Sequence, residues 1–186
     1  LIRGYLPENL PPTFITENLG NYLAAQSEFF SKGRWTKAAS YSASTRGLTR
    51  RVFSFIHPST AHDLAEFISG RNSELNEFFQ RSSFSLSVPR HTPDGDRALE
   101  ISSHNELEEQ RLVRLAQYRF VARTDISRFY HSIYTHSIPW ALHGKAEAKL
   151  DHRANSSNVY GNRLDQILRQ GQDGQTIGIP VGPDTS

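Results

Sequence analysis

Tyr118-Arg119-Phe120-Val121-Ala122-Arg123-Thr124-Asp125-Ile126-Ser127-Arg128-Phe129-Tyr130 is the stretch on which the reading of this chain turns. Residues 118–126 carry β-type side chains and predict a strand ending close to a carboxylate, with an aromatic-rich helix following from Phe129 to about His143. A carboxylate at a strand terminus is held by the sheet but projects into a cleft. There it can fix a hard cation such as Mg²⁺ and leave coordination positions open for phosphate oxygens. Asp125 can equally serve as a cap for the helix that begins near Ser127, and a single Asp does not hold two metals.

Working upstream, residues 105–117 predict a charged helix with an acidic first turn and with Leu107, Leu112, Val113 and Leu115 on its buried side. Residues 82–89 read as extended, and Pro93-Asp94-Gly95 as a polar loop. Two helices are predicted after His57-Pro58, to about Arg71 and then over 73–80, with Leu64, Phe67 and Ile68 at helical spacing. Runs over 41–45 and 48–56 around Arg46-Gly47 predict a β-hairpin with a basic tip. A helix is predicted over 17–31, behind an extended arm that holds three prolines between Leu6 and Pro12.

Downstream, a polar stretch runs to Tyr160 and a helix is predicted over 161–170. Then Gln175-Thr176-Ile177-Gly178-Ile179-Pro180-Val181-Gly182-Pro183-Asp184-Thr185-Ser186 alternates Gly with Pro. Glycines here let main chain approach a base pair or sugar, and Asp184 to Ser186 would open a helix with free amides. A plain loop with turn prolines has the same composition.

The 186 residues suit one ordinary core or two small lobes, in an α+β arrangement. With 37% hydrophobic and 22% charged residues, the composition is globular, and no apolar run is long enough to cross a membrane. A formal charge of +2 permits nucleic acid as a partner without demanding it. Cysteine is absent, which excludes disulfides and thiolate zinc sites and suits a reducing compartment. The chain opens at Leu1 inside structured sequence, so a start further upstream is expected.

In this order and spacing, 125–145 (Asp-Ile-Ser-Arg-Phe-Tyr-His-Ser-Ile-Tyr-Thr-His-Ser-Ile-Pro-Trp-Ala-Leu-His-Gly-Lys) and 172–186 (Gln-Asp-Gly-Gln-Thr-Ile-Gly-Ile-Pro-Val-Gly-Pro-Asp-Thr-Ser) resemble motifs A and B of reverse transcriptases. The fuller wording is similar to the bacterial defence-associated and abortive-infection members, and the likeness extends to the 6–12 arm. The resemblance implies a helix-rich α+β fold with a short antiparallel sheet: arm and fingers over 1–117, and the first part of the palm over 118–186. It implies Asp125 as the first metal-binding carboxylate with the Ile126 carbonyl as a further ligand, and Tyr130 as a steric gate against ribonucleotides. It further implies Arg51 and Arg46 as hairpin cations for the triphosphate, and Gly178, Pro180 and Gly182 as the lining of the nucleotide and template side. Each of these arginines reads equally as part of a solvated basic edge. The chain departs from the family at Val181, where many reverse transcriptases carry Gln.

The activity so implied is RNA-directed DNA polymerisation in antiviral defence against phage: Mg²⁺-dependent transfer of deoxynucleotides onto an RNA- or DNA-paired strand, either templated or untemplated and protein-primed. A bacterial cytoplasmic location and a homo-oligomer are compatible with it. The second acidic pair of the two-ion site is expected beyond Ser186, so residues 1–186 alone are expected to be inactive. The competing class is a noncatalytic nucleic-acid-binding or oligomerisation module on a degenerate polymerase scaffold. His131, His136 and His143 do not share one helical face and are set aside as zinc ligands. Asp151, Asp165 and Asp173 read as solvated charge, Arg90 and Arg97 as loop cations, and Trp140 and Phe129 as core.

Overall fold

The computed structural model describes residues 15–25, 34–44, 50–92 and 99–182. Among these, eight helices and two two-stranded antiparallel sheets make a mixed α+β protein. The 6–12 arm, the Arg46-Gly47 tip, residues 26–31 of the first predicted helix, Pro93 to Arg97 and Asp184 to Ser186 lie outside the described residues. No described helix is long and apolar enough to cross a membrane. The chain divides into two compact units, one of residues 1–70 with 128–186 and one of residues 71–127.

The first unit begins with α1 (Leu19–Ala25) and a hairpin of β1 (Ala39–Ser44) and β2 (Arg50–Phe55). The strands pair from Ala39 with Phe55 to Ser44 with Arg50. On one face of this ribbon, Tyr41 stacks on Phe53 and Phe55 at 5.4 and 4.8 Å, the cross-strand aromatic contact that stabilises a two-stranded sheet. Helix α2 (Pro58–Gly70) follows directly. Its start is set by Pro58, which has no N–H to leave unpaired, and by His57, whose Nδ1 accepts the Ser59 amide at 3.2 Å in the manner of a capping side chain.

After residue 128 come α5 (Phe129–Ser132), α6 (Ser137–His143), α7 (Lys145–Leu150) and α8 (Gly161–Gln170). The core is Ile56, Ala61, Leu64, Ile167 and Leu168, flanked by Phe67, Ile138, Leu164 and Ile179. Thus α8 packs on α2 and α6, and Ile56, directly after β2, joins the same core. The single helix predicted over 129–143 is two helices. Ile133 is extended, with ψ 124°, and Pro139 falls in the first turn of α6, where no helical N–H bond is needed. The polar stretch before Tyr160 contains a further helix, α7.

The second unit holds α3 (Asn72–Gln80), the short pair β3 (Arg90–His91) and β4 (Leu99–Glu100), and α4 (His104–Leu115). A capping box starts α4: Ser103 Oγ accepts the Glu106 amide at 3.3 Å, and Glu106 Oε2 accepts the Ser103 amide at 2.8 Å. Two expectations fail here. No residue of α4 is buried, and Leu112 and Val113 are 70% and 73% exposed, because no described element of this unit covers that helix face. Residues 118–126 are not a strand; they run exposed and without regular structure, since among the described residues no neighbouring strand takes up their N–H and C=O groups.

Candidate functional site

Residues 130–135 and 176–179 are stitched together by main chain. The Ile179 amide donates to the Tyr130 carbonyl at 2.9 Å, the Gly178 amide to the Ile133 carbonyl at 2.7 Å, and the Thr135 amide to the Thr176 carbonyl at 2.8 Å. Tyr134 and Ile177 form an antiparallel bridge. These bonds use the backbone groups that a continuous helix would have kept to itself, which is why the helix breaks after Ser132. Gly178 has φ +88°, and a Cβ there would stand 3.2 Å from the His131 carbonyl oxygen, so both its conformation and its close approach call for glycine.

The hairpin joins this junction through the Ser54 amide, which donates to the Val181 carbonyl at 2.8 Å. The first unit therefore brings together Tyr130, Gly178, Pro180 and Gly182 with the strand that carries Arg51. Tyr130 is half-buried with its ring edge-on to Phe129, and Phe129 is exposed rather than core. Pro180 and Val181 are buried. Arg51 is exposed, its guanidinium carbon 5.4 Å from the Phe53 ring centroid. Arg50 instead binds back onto β1, through Ser42 Oγ and the Ser42 carbonyl, both at 2.8 Å. Arg46 lies outside the described residues.

Asp125 and Ile126 belong to the second unit. The Asp125 carboxylate is exposed on the unpaired 118–126 segment and accepts the Ile126 amide at 2.9 Å. It is not held by a sheet, which corrects the strand-terminus geometry expected for it. The next turn is set by Arg128, in the left-handed conformation with φ 54°. Asp125 and the Ile126 carbonyl are the donors here that could hold Mg²⁺; among the described residues Asp125 is in no cluster of three candidate metal ligands. One carboxylate falls short of a two-ion site, so no chemistry is derived through the metal.

The candidate ligand cluster that does occur is His62, Asp63 and Glu66 on α2, whose ligand atoms lie within 4.8 Å of one another. Asp63 Oδ2 is also 3.7 Å from Arg163 Nη2, and Asp63, Glu66 and Arg163 line an open cavity of about 490 Å³ with Phe67, Asn155 and Gln166. The i, i+1, i+4 spacing was the sequence signal for it.

Asp165 is a second correction: it is 4% exposed, not solvated. Its Oδ2 meets His136 Nδ1 at 2.8 Å and accepts from Arg169 Nε at 3.2 Å, which neutralises the buried charge and pins α8 to the turn before α6. Asp151 is held well below the usual carboxylate range, chiefly by the Arg153 guanidinium that hydrogen-bonds it at 2.8 and 2.9 Å. Arg90 donates to Ser102 at 3.4 Å. Trp140 is half-buried, in edge contact with Tyr134 and under Lys145 Nζ at 4.8 Å. No family model matches the chain, and no curated protein matches it significantly.

Proposed function

We propose that this chain forms the fingers and the first part of the palm of a reverse transcriptase of the bacterial defence type, a nucleotidyltransferase that adds deoxynucleotides to a strand end or a protein hydroxyl in antiviral defence. The observation that carries the reading is the main-chain junction of 130–135 with 176–179. It gathers the segment after Asp125, the Gly/Pro loop and the arginine-bearing hairpin into one place, as a nucleotide floor built from those motifs requires. In this reading Tyr130 faces the incoming sugar, Gly178, Pro180 and Gly182 let backbone approach the nucleotide, and Arg51 offers a guanidinium fork to phosphate oxygens. Bound Mg²⁺ would neutralise phosphate charge, with Asp125 contributing one ligand and the remaining carboxylates coming from sequence after Ser186.

The exposed, sheet-free setting of Asp125 favours the competing reading, a noncatalytic nucleic-acid-binding module. One experiment separates the two. A polypeptide that continues beyond Ser186 through a second acidic pair is assayed for Mg²⁺-dependent incorporation of labelled deoxynucleotide beside its Asp125→Ala form. The polymerase reading expects incorporation by the first and a loss of at least about a hundredfold in the second. Equal incorporation removes Asp125 from the chemistry, and none from either supports the binding module.

A further inference from the structure

Trp35 is 59% exposed, yet it is fixed in place more firmly than an exposed loop residue needs to be. The main chain of its neighbour Thr36 is clamped on both sides: the Thr36 amide donates to the Gln170 carbonyl, and the Asp173 amide donates to the Thr36 carbonyl, each at 2.8 Å. Thr36 Oγ1 also shares a hydrogen bond of 3.0 Å with Thr60 Oγ1. The benzo edge of the indole rests on Gly174, which has φ +77°. A Cβ at Gly174 would stand 2.5 Å from Trp35 Cζ3, so the turn accepts this ring only because glycine is there.

The seat is tied to the Gly/Pro loop. Gln172 Nε2 donates to the Gln175 carbonyl at 2.6 Å and to the Gly178 carbonyl at 2.9 Å, linking the turn beneath Trp35 to the glycine at the junction. Arg34 and Lys37 flank Trp35 and Thr36 in sequence and are both exposed, and Asp173 is the one acid in 34–44 and 171–182. A lone exposed aromatic is ordinary on a protein surface. An exposed indole on a glycine-only seat, with two exposed cations close to it in sequence, supplies the parts that bind single-stranded nucleic acid: the base stacks on the ring while cations follow the phosphates.

We propose that Trp35, with Arg34 and Lys37, is a stacking platform for one base of a single nucleic-acid strand beside the 176–182 loop. The inference rests on the nucleotidyl-transfer reading for its choice of partner, but its test reads binding rather than synthesis, so the two can fail separately. The chain has two tryptophans, so Trp140→Phe leaves Trp35 as the sole indole emitter. Titrating that variant with a short oligothymidylate should quench its emission saturably, and the apparent affinity should fall as salt is raised.

In the chain with Trp140 intact, Trp35→Ala should raise the Kd for dye-labelled oligothymidylate roughly tenfold, a typical effect of removing one base stack. Arg34→Gln with Lys37→Gln keeps Trp35 and Gly174, and it should weaken binding and flatten the salt dependence; Asp173→Asn should tighten it. Unchanged emission at saturating oligothymidylate, native affinity in Trp35→Ala, or quenching by a proline-rich peptide but not by the oligonucleotide overturns the platform. If Trp35→Ala loosens the turn, the Arg34/Lys37 pair still decides, since native affinity and salt slope there also overturn it. Quenching through Trp35 without nucleotide incorporation by the longer polypeptide leaves the platform standing and removes the polymerase.

Discussion

The two units are built from similar local signals and reach different degrees of burial. In the unit of 1–70 with 128–186, α2, α8 and Ile56, directly after β2, share one apolar cluster around Ile167, which is 2% exposed. In the unit of 71–127, Leu75 is the buried hydrophobic residue among those described, and α4 is well capped yet buries no side chain. Capping and helical spacing thus fix where a helix starts and which face is apolar. They do not supply the surface that covers that face.

Four substitutions probe this contrast. Ile167→Ala should cost about 2–5 kcal/mol, the range for emptying a packed core site, seen as a lower denaturant midpoint for the first unit. Gly178→Ala forces a side chain to φ +88° against the His131 carbonyl and should cost roughly 1–2 kcal/mol by the same measurement, with weakened nucleotide binding. Ser103→Ala removes one arm of the capping box and should cost about 1 kcal/mol, read as faster amide exchange at the start of α4. Leu112→Ser, on the uncovered face of α4, should change stability by less than about 0.5 kcal/mol. A large loss there would mean that the face is covered in solution and that the contrast is wrong.

A pH effect acts at the start of α2 in the first unit. Burial, and then the positive charge of Arg34, lower the pKa of His57 from its ordinary value. The unfolded chain therefore takes up this proton first, below about pH 6.5. The stability contributed by neutral His57 is complete above that pH and declines as pH falls toward the folded-state value, where the cap to Ser59 is lost. His57→Asn retains an acceptor for the cap and does not titrate, so urea midpoints of the native chain should fall relative to this variant between pH 7 and pH 5. Parallel profiles would remove His57 from the helix start.

Much of the first unit was legible because its signals are local. The 41–45 and 48–56 runs appear as β1 and β2, the His57-Pro58 boundary as the start of α2, and 161–170 as α8. What sequence could not give was partner identity. The break between α5 and α6 depends on Thr176 to Gly178 taking the backbone groups of Ile133 and Thr135, more than forty residues away, although Pro139 was a hint that one helix would not run through. Asp165 looked solvated because its neighbours in sequence are polar; its burial comes from packing against His136. The 118–126 run has strand composition without a strand's partner among the described residues, so alternation alone could not decide its structure. The Asp125 role was read from a motif, and its carboxylate stands on that unpaired segment.

The most direct measurement is backbone-amide chemical-shift mapping of the chain titrated with a deoxynucleoside triphosphate and Mg²⁺. The expected result is saturable shifts concentrated at Tyr130, Arg51, Gly178, Ile179, Val181 and Gly182. Shifts confined to the His62, Asp63 and Glu66 cluster, or none at any ligand concentration, would contradict a nucleotide floor at the junction.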